Sequence, residues 1–130
     1  MIDAAALVAT MPFAVRAGIE ITAATPETVV GHLEWSEDIC TLGGIAHGGA
    51  LMTLADSLGA VAAFLNLPDG ASTATVSSTT SLVRALREGR ATGTTTLVNA
   101  GRRFITVRTD VVDDAGKLLI TTTQVQAVLS

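Results

Sequence analysis

Apolar and polar positions change their spacing several times along this chain of 130 residues. Asp3 to Thr10 is an Ala-rich stretch of helical character, which Met11-Pro12 is expected to end. Gly18-Ile19-Glu20-Ile21-Thr22 alternates, and Thr28-Val29-Val30-Gly31-His32-Leu33-Glu34-Trp35 clusters β-branched residues. With Ala24-Thr25-Pro26-Glu27 as the turn between them, these two segments predict a hairpin. Ser36 to Gly44 reads as a loop. His47 to Leu65 is apolar on nearly every side and predicts the one long helix, closed by Asn66 to Gly70. Thr73–Val83, Arg90–Ala100, Phe104–Val112 and Leu118–Leu129 are Thr- and Val-rich and predict strands. Arg87-Glu88-Gly89, Asn99-Ala100-Gly101 and Asp113-Asp114-Ala115-Gly116 supply the turn residues between them.

Two strands, a long helix and four strands joined by short turns predict an α+β fold with an antiparallel sheet of about six strands. A helix apolar nearly all round must be enclosed, here by a curved sheet. No internal repeat, linker or low-complexity tail interrupts the pattern, so residues 1–130 are expected to form a single domain able to bury a core.

Composition narrows the functional classes. Twelve acidic residues against eight Lys and Arg give a net charge of −4, which argues against a nucleic-acid partner. One Trp, three Phe and no Tyr offer no base-stacking platform. Cys40 is the only cysteine, which excludes an intrachain disulfide and suits a reducing, cytoplasmic compartment. Met1 to Thr10 carries Asp3 and no basic segment, so no secretory signal is expected. Gly48 to Leu67 is twenty mostly apolar residues, long enough to span a bilayer. Asp56 near its centre, dilution by Thr53, Ser57, Gly59 and Asn66, and flanks without basic anchors favour a buried helix and no membrane contact.

Candidate chemistry concentrates in the same helix. From His47 to Pro68, Asp56 is the only formally charged side chain. A buried, unpartnered carboxylate costs several kcal/mol, so it needs a reason, and a catalytic base is the leading one. Gly48 and Gly49 stand where the helix begins, at amides with no internal partner and at the positive end of the dipole. Lacking side chains, they let a ligand approach those amides, which can hold an oxyanion worth about 3–4 kcal/mol per donor. Gly48 and Asp56 are eight residues apart, about 12 Å along a helix. One helix does not bring both to a single carbonyl carbon. Two antiparallel helices about a two-fold axis do, so joint action of the two groups implies a dimer with two equal sites.

Gly44-Ile45-Ala46-His47-Gly48-Gly49 followed by Leu54-Ala55-Asp56 resembles the signature of hotdog-fold acyl-CoA thioesterases. The resemblance is nearest to the phenylacetate-pathway (PaaI-like) branch, which includes 4-hydroxybenzoyl-CoA thioesterases. It extends from Pro12-Phe13 and Gly18-Ile19-Glu20 through the helix to the four-strand tail. It implies a hotdog fold, a long central helix wrapped by the sheet, and hydrolysis of an acyl-CoA to free acid and CoA. It further implies a homo-oligomer, with dimers paired into a tetramer, and no metal or redox cofactor. Carried over, Gly48 gives the backbone oxyanion donor, Gly49 allows close approach, His47 shapes the loop, and Asp56 of the opposing subunit is base or nucleophile. Residues around Thr75 to Ser77 would lie near the acyl group and the attacking water. Arg84, Arg87, Arg102 and Arg103 are the basic candidates for the CoA phosphates. Two positions depart from the family pattern. Thr41 stands where the family commonly has Asn six residues before the motif His, and Arg84-Ala85 stands where it often has Arg-Pro.

Plainer explanations exist for each residue. Gly48-Gly49 also suits a tight turn, Asp56 a carboxylate held by Thr or Ser hydroxyls, His47 a purely orienting side chain, and the arginines solvated strand ends. His32 and Cys40 have no partner in sequence and receive no role, and no metal-ligand spacing occurs. Two other functions fit the chain: a hydratase or dehydratase of enoyl or hydroxyacyl thioesters, and a non-catalytic acyl-CoA binding module.

Overall fold

A six-stranded antiparallel sheet cradles one long helix in the computed structural model, which describes residues 3–130. The chain runs through helices α1 (Ala4–Ala9) and α2 (Pro12–Ala17), strands β1 (Glu20–Ala24) and β2 (Thr28–Glu34), and a 3₁₀ turn at Glu37–Ile39. Helix α3 (Gly48–Phe64) follows, then β3 (Ser72–Leu82), β4 (Arg90–Ala100), β5 (Phe104–Val112) and β6 (Leu118–Leu129). The predicted strands all form, with ends shifted by no more than two residues.

Met11-Pro12 follows the end of α1, as expected. Pro12 is also the first residue of a second helix, where its fixed φ and missing N–H cost nothing. Gly18, at φ +87°, ends that helix in the left-handed conformation.

The strand order is β1-β2-β4-β5-β6-β3. Only β1–β2, β4–β5 and β5–β6 are hairpins, so the expected run of four turn-linked strands is broken at its first link. β3 leaves the helix to pair with β6, Ser72 opposite Leu129 and Leu82 opposite Ile120, and becomes the far edge of the sheet. Residues 83–89 then cross three strand spacings, about 14 Å, to reach β4. Val83 and Arg84 N–H groups both donate to Leu119 O, and Leu86, 2% exposed, anchors the crossing in the core.

The core lies between α3 and the inner face of the sheet. Leu54, Leu58, Val29, Leu33, Ile105, Val107 and Val111 are each at most 1% exposed. The helix comes close because β2 and β4 present glycines beneath it: a Cβ on Gly31 or Gly93 would lie 2.7 Å from Leu58. Burial is one-sided, however. Met52, Asp56 and Phe64 form an exposed stripe with half-buried Thr53 and Ala60, so the sheet does not enclose the helix as expected. No helix among the described residues is long and apolar enough to cross a membrane.

Candidate active site

The start of α3 is fixed by its approach loop. Trp35 Nε1–H donates to Gly44 O at 3.0 Å, and the Thr41 N–H to Ile45 O at 2.8 Å. The His47 N–H donates to Ile39 O at 2.7 Å and the Ala46 N–H to Leu86 O at 2.8 Å. His47 is the N-cap, and its Nδ1 accepts the Gly49 N–H at 3.2 Å. A histidine that caps through Nδ1 carries its neutral-state proton on Nε2, so that nitrogen remains as a donor. The Gly48 N–H has no acceptor among the described residues. Of the two motif glycines, Gly48 therefore keeps the free amide, and Gly49 spends its own on the cap.

Asp56 lies eight residues further along the same helix, about 12 Å away, on the exposed stripe. This corrects the expectation of a carboxylate buried within one chain: the helix turns this face away from the sheet. The carboxylate is nonetheless held. Gln124 Nε2 donates to Asp56 Oδ1 at 3.2 Å.

Two cavities run along the stripe. One, of about 460 Å³, holds Asp56 between apolar Met11, Phe13 and Met52 and polar Ser57 and Ser78. The other, of about 470 Å³, lies at the helix start and includes His47, Arg16 and Cys40. They share Phe13, Gly49 and Thr53 and so form one groove. Gly48 faces the other flank, lining a space of about 270 Å³ with Leu51, Leu82 and Arg84. Gly48 and Asp56 thus line different spaces of one chain.

The remaining candidates separate into groups. Thr75 Oγ1 accepts from Gln126 Nε2 at 2.8 Å, and Gln126 reaches Gln124, so Thr75 connects to Asp56 through two side chains. Ser77 does not follow it to the inner face. The register slips between Thr75 and Ser77, leaving Val76 as a bulge, and the alternation inverts. Ser78 consequently lines the Asp56 cavity, and Thr80 bonds Thr122 at 2.8 Å. Thr41 lies exposed in the approach loop. Arg84 and Arg87 belong to the crossing at the helix start, whereas Arg102 and Arg103 sit in the β4–β5 turn. The length of β4, about 35 Å, divides the two pairs within a chain.

Arg16, Gln124 and Gln126 do not stand out in the sequence. Arg16 enters the groove because α2 exists. Gln124 and Gln126 are each 1% exposed, on the inner face of β6. Their i, i+2 spacing places them on one side of a strand, but the pattern Thr121-Thr122-Thr123-Gln124-Val125-Gln126 leaves open which side faces inward.

Residues 43–120 match the model of the thioesterase superfamily. No curated protein matches the chain by sequence. Among solved structures, a thioesterase from Haemophilus influenzae superposes with a TM-score of 0.93 at 22% identity, covering 100% of this chain and 92% of that one. A mutant thioesterase from Pseudomonas aeruginosa gives 0.93 at 24% identity, covering 99% and 95%. A mutant of the phenylacetic acid degradation protein PaaI from Thermus thermophilus gives 0.82 at 32% identity, covering 89% and 97%. The first two similarities speak for the fold alone. The family match spans more than half of the chain and includes the helix, its glycines and Asp56, and with it the chain belongs to the thioesterase superfamily and carries the hotdog fold.

Proposed function

We propose that the protein hydrolyses an acyl-CoA thioester to the free acid and CoA, at sites shared between two copies of the chain. The observation that carries this reading is the arrangement on α3: a free Gly48 amide at its start and an exposed, hydrogen-bonded Asp56 two turns on. Neither is complete alone. The Gly48 N–H and the helix dipole supply positive charge where a tetrahedral intermediate develops its oxyanion. Asp56 takes the proton of an attacking water, or attacks the thioester carbon itself to form an anhydride that water then opens. In either course the C–S bond breaks, and CoA leaves as thiolate and takes up a proton.

Strand β3 supports the dimer. It is an edge strand of 11 residues, almost all exposed, with its outer hydrogen-bonding groups unpaired in the sheet. A long exposed edge is a template for another strand. Pairing with a second β3 about a two-fold axis runs the two α3 helices antiparallel and turns Gly48 of one copy toward Asp56 of the other. Two such dimers would form the expected tetramer. The His47 cap favours hydrolysis over hydration, because Nδ1 is engaged and Nε2–H is a donor, suited to a carbonyl oxygen rather than to accepting a proton. Similarity to PaaI at 32% identity favours the phenylacetate-pathway branch, with an aryl- or fatty-acyl group among Met11, Phe13 and Met52. Arg84, beside Gly48, is the best placed basic residue for the CoA phosphates.

The test is thiol release from a panel of acyl-CoAs by wild type and Asp56→Asn. Loss of turnover by about 100-fold or more in a folded variant supports the reading, since acid–base groups contribute that much. Equal release from both proteins removes Asp56 from the mechanism. Hydration of crotonyl-CoA without CoA release would establish a hydratase. Stabilisation by acyl-CoA without any turnover would establish a binding module.

A further inference from the structure

Two primary amides, Gln124 and Gln126, are buried in the inner face of β6. A buried amide costs a few kcal/mol unless its groups are bonded, and an apolar side chain would fill the same volume without that demand. The bonds that satisfy them form a directed path. Gln126 Nε2 donates to Thr75 Oγ1 at 2.8 Å and to Gln124 Oε1 at 3.1 Å. With its oxygen so engaged, Gln124 has one orientation, in which Nε2 donates to Asp56 Oδ1 at 3.2 Å. A flipped carboxamide would set oxygen against carboxylate oxygen, and N–H against N–H.

The helix is built to admit this group. Gly59 lies three residues after Asp56, on the same face, and a Cβ there would stand 2.0 Å from Gln124 Oε1 and 2.8 Å from its Cδ. The carboxamide therefore occupies the place of a side chain on the next turn. It is buried and bonded through both its oxygen and its nitrogen, whereas Asp56 is exposed and has no other hydrogen-bond partner among the described residues.

We propose that Gln124 is the positioning residue for Asp56: it holds Oδ1 and leaves Oδ2 free for the water or the thioester carbon, with Gly59 providing its space and Gln126 and Thr75 fixing its orientation. This inference rests on Asp56 being the reacting carboxylate. Gln124 acts through that carboxylate and need not touch the substrate.

The experiment compares kcat, KM and melting temperature for wild type, Asp56→Asn, Gln124→Met, Gln124→Ala, Gly59→Ala and the double variant Gln124→Ala/Gly59→Ala, on the acyl-CoA turned over best. Gln124→Met is expected to lower kcat about 10- to 50-fold with KM within about twofold, as misplacement of a reacting group does. Gly59→Ala should do the same by displacing the carboxamide. The double variant should be no slower than Gln124→Ala, because the added methyl then displaces nothing. A purely structural role predicts instead that kcat falls in step with melting temperature and that the double variant is slower than either single one. That result would overturn the proposal, as would Gln124→Met within about threefold of wild-type kcat while Asp56→Asn loses about 100-fold. Undiminished Asp56→Asn would instead overturn the reading of Asp56 on which the proposal stands.

Discussion

His47 Nδ1 accepts the Gly49 N–H at 3.2 Å, and this bond divides the labour between the two motif glycines. The cap consumes the second amide of α3 and leaves the first free. Loss of an N-cap acceptor costs about 1 kcal/mol. His47→Ala is therefore expected to lower the unfolding free energy by about that much in urea titration, whereas His47→Asn, which retains a capping oxygen, should lose no more than a few tenths. If both variants are equally destabilised, the ring serves packing and not the cap.

The two glycines beneath α3 are not equivalent. At Gly31 a Cβ would meet Glu20 O at 2.6 Å as well as Leu58 Cδ2 at 2.7 Å, while at Gly93 the close neighbour is Leu58 Cδ1 alone. Backbone does not yield as a leucine methyl does. Gly31→Ala should cost about 2–3 kcal/mol and Gly93→Ala clearly less, in the range of overpacked cores. Equal losses in chemical denaturation would mean that Leu58, not the β1 carbonyl, sets the limit at both.

Thr95 and Thr109 face each other across β4 and β5, at most 1% exposed, with their hydroxyls 2.5 Å apart. Replacing one leaves the other hydroxyl buried without its partner, at a cost of about 1–3 kcal/mol; replacing both removes the need. Thr95→Val is thus expected to be less stable than Thr95→Val/Thr109→Val. A double variant less stable than the single would show that the hydroxyl pair is a net source of stability.

What the sequence discloses and what it conceals follow from range. The hairpin at Ala24–Glu27 and the helix opened by His47 depend on neighbours a few residues apart, and both are correctly read. β3 is legible as a strand, but its partner β6 lies about 50 residues away, and no local pattern records that pairing. The bulge at Val76 is invisible for the same reason: Ser77 and Ser78 have the same composition, and only the register against Gln126 and Val125 decides which faces Asp56. Asp56 itself stands out by its isolation among apolar residues. Its exposure depends on which helix face the sheet covers, and a helix apolar nearly all round gives little contrast from which to read that. Gln124 illustrates the reverse case. A polar residue in a Thr-rich strand looks solvent-facing until the strand phase is known.

The proposed sharing of the site between two copies makes the sharpest prediction. Gly48→Pro removes the first amide of α3 at a position where proline is well accommodated, and the nearest atoms to an added Cβ are the Leu82 methyls at 3.4 and 3.5 Å. Asp56→Asn removes the carboxylate. Each homodimer is expected to be nearly inactive. In the proposed arrangement, however, a mixed dimer unites the Gly48 of one copy with the Asp56 of the other in one intact site and places both defects in the second. Unfolding and refolding equal amounts of the two variants gives mixed dimers as about half of the population, each with one working site of two, so thiol release should recover to about a quarter of wild type. Recovery should fail if either variant is mixed with itself. If the mixture stays as inactive as its parents, while size-exclusion chromatography of tagged chains shows that mixed dimers have formed, then Gly48 and Asp56 act within one chain. The 12 Å between them would then have to be bridged by the substrate rather than by the two-fold axis.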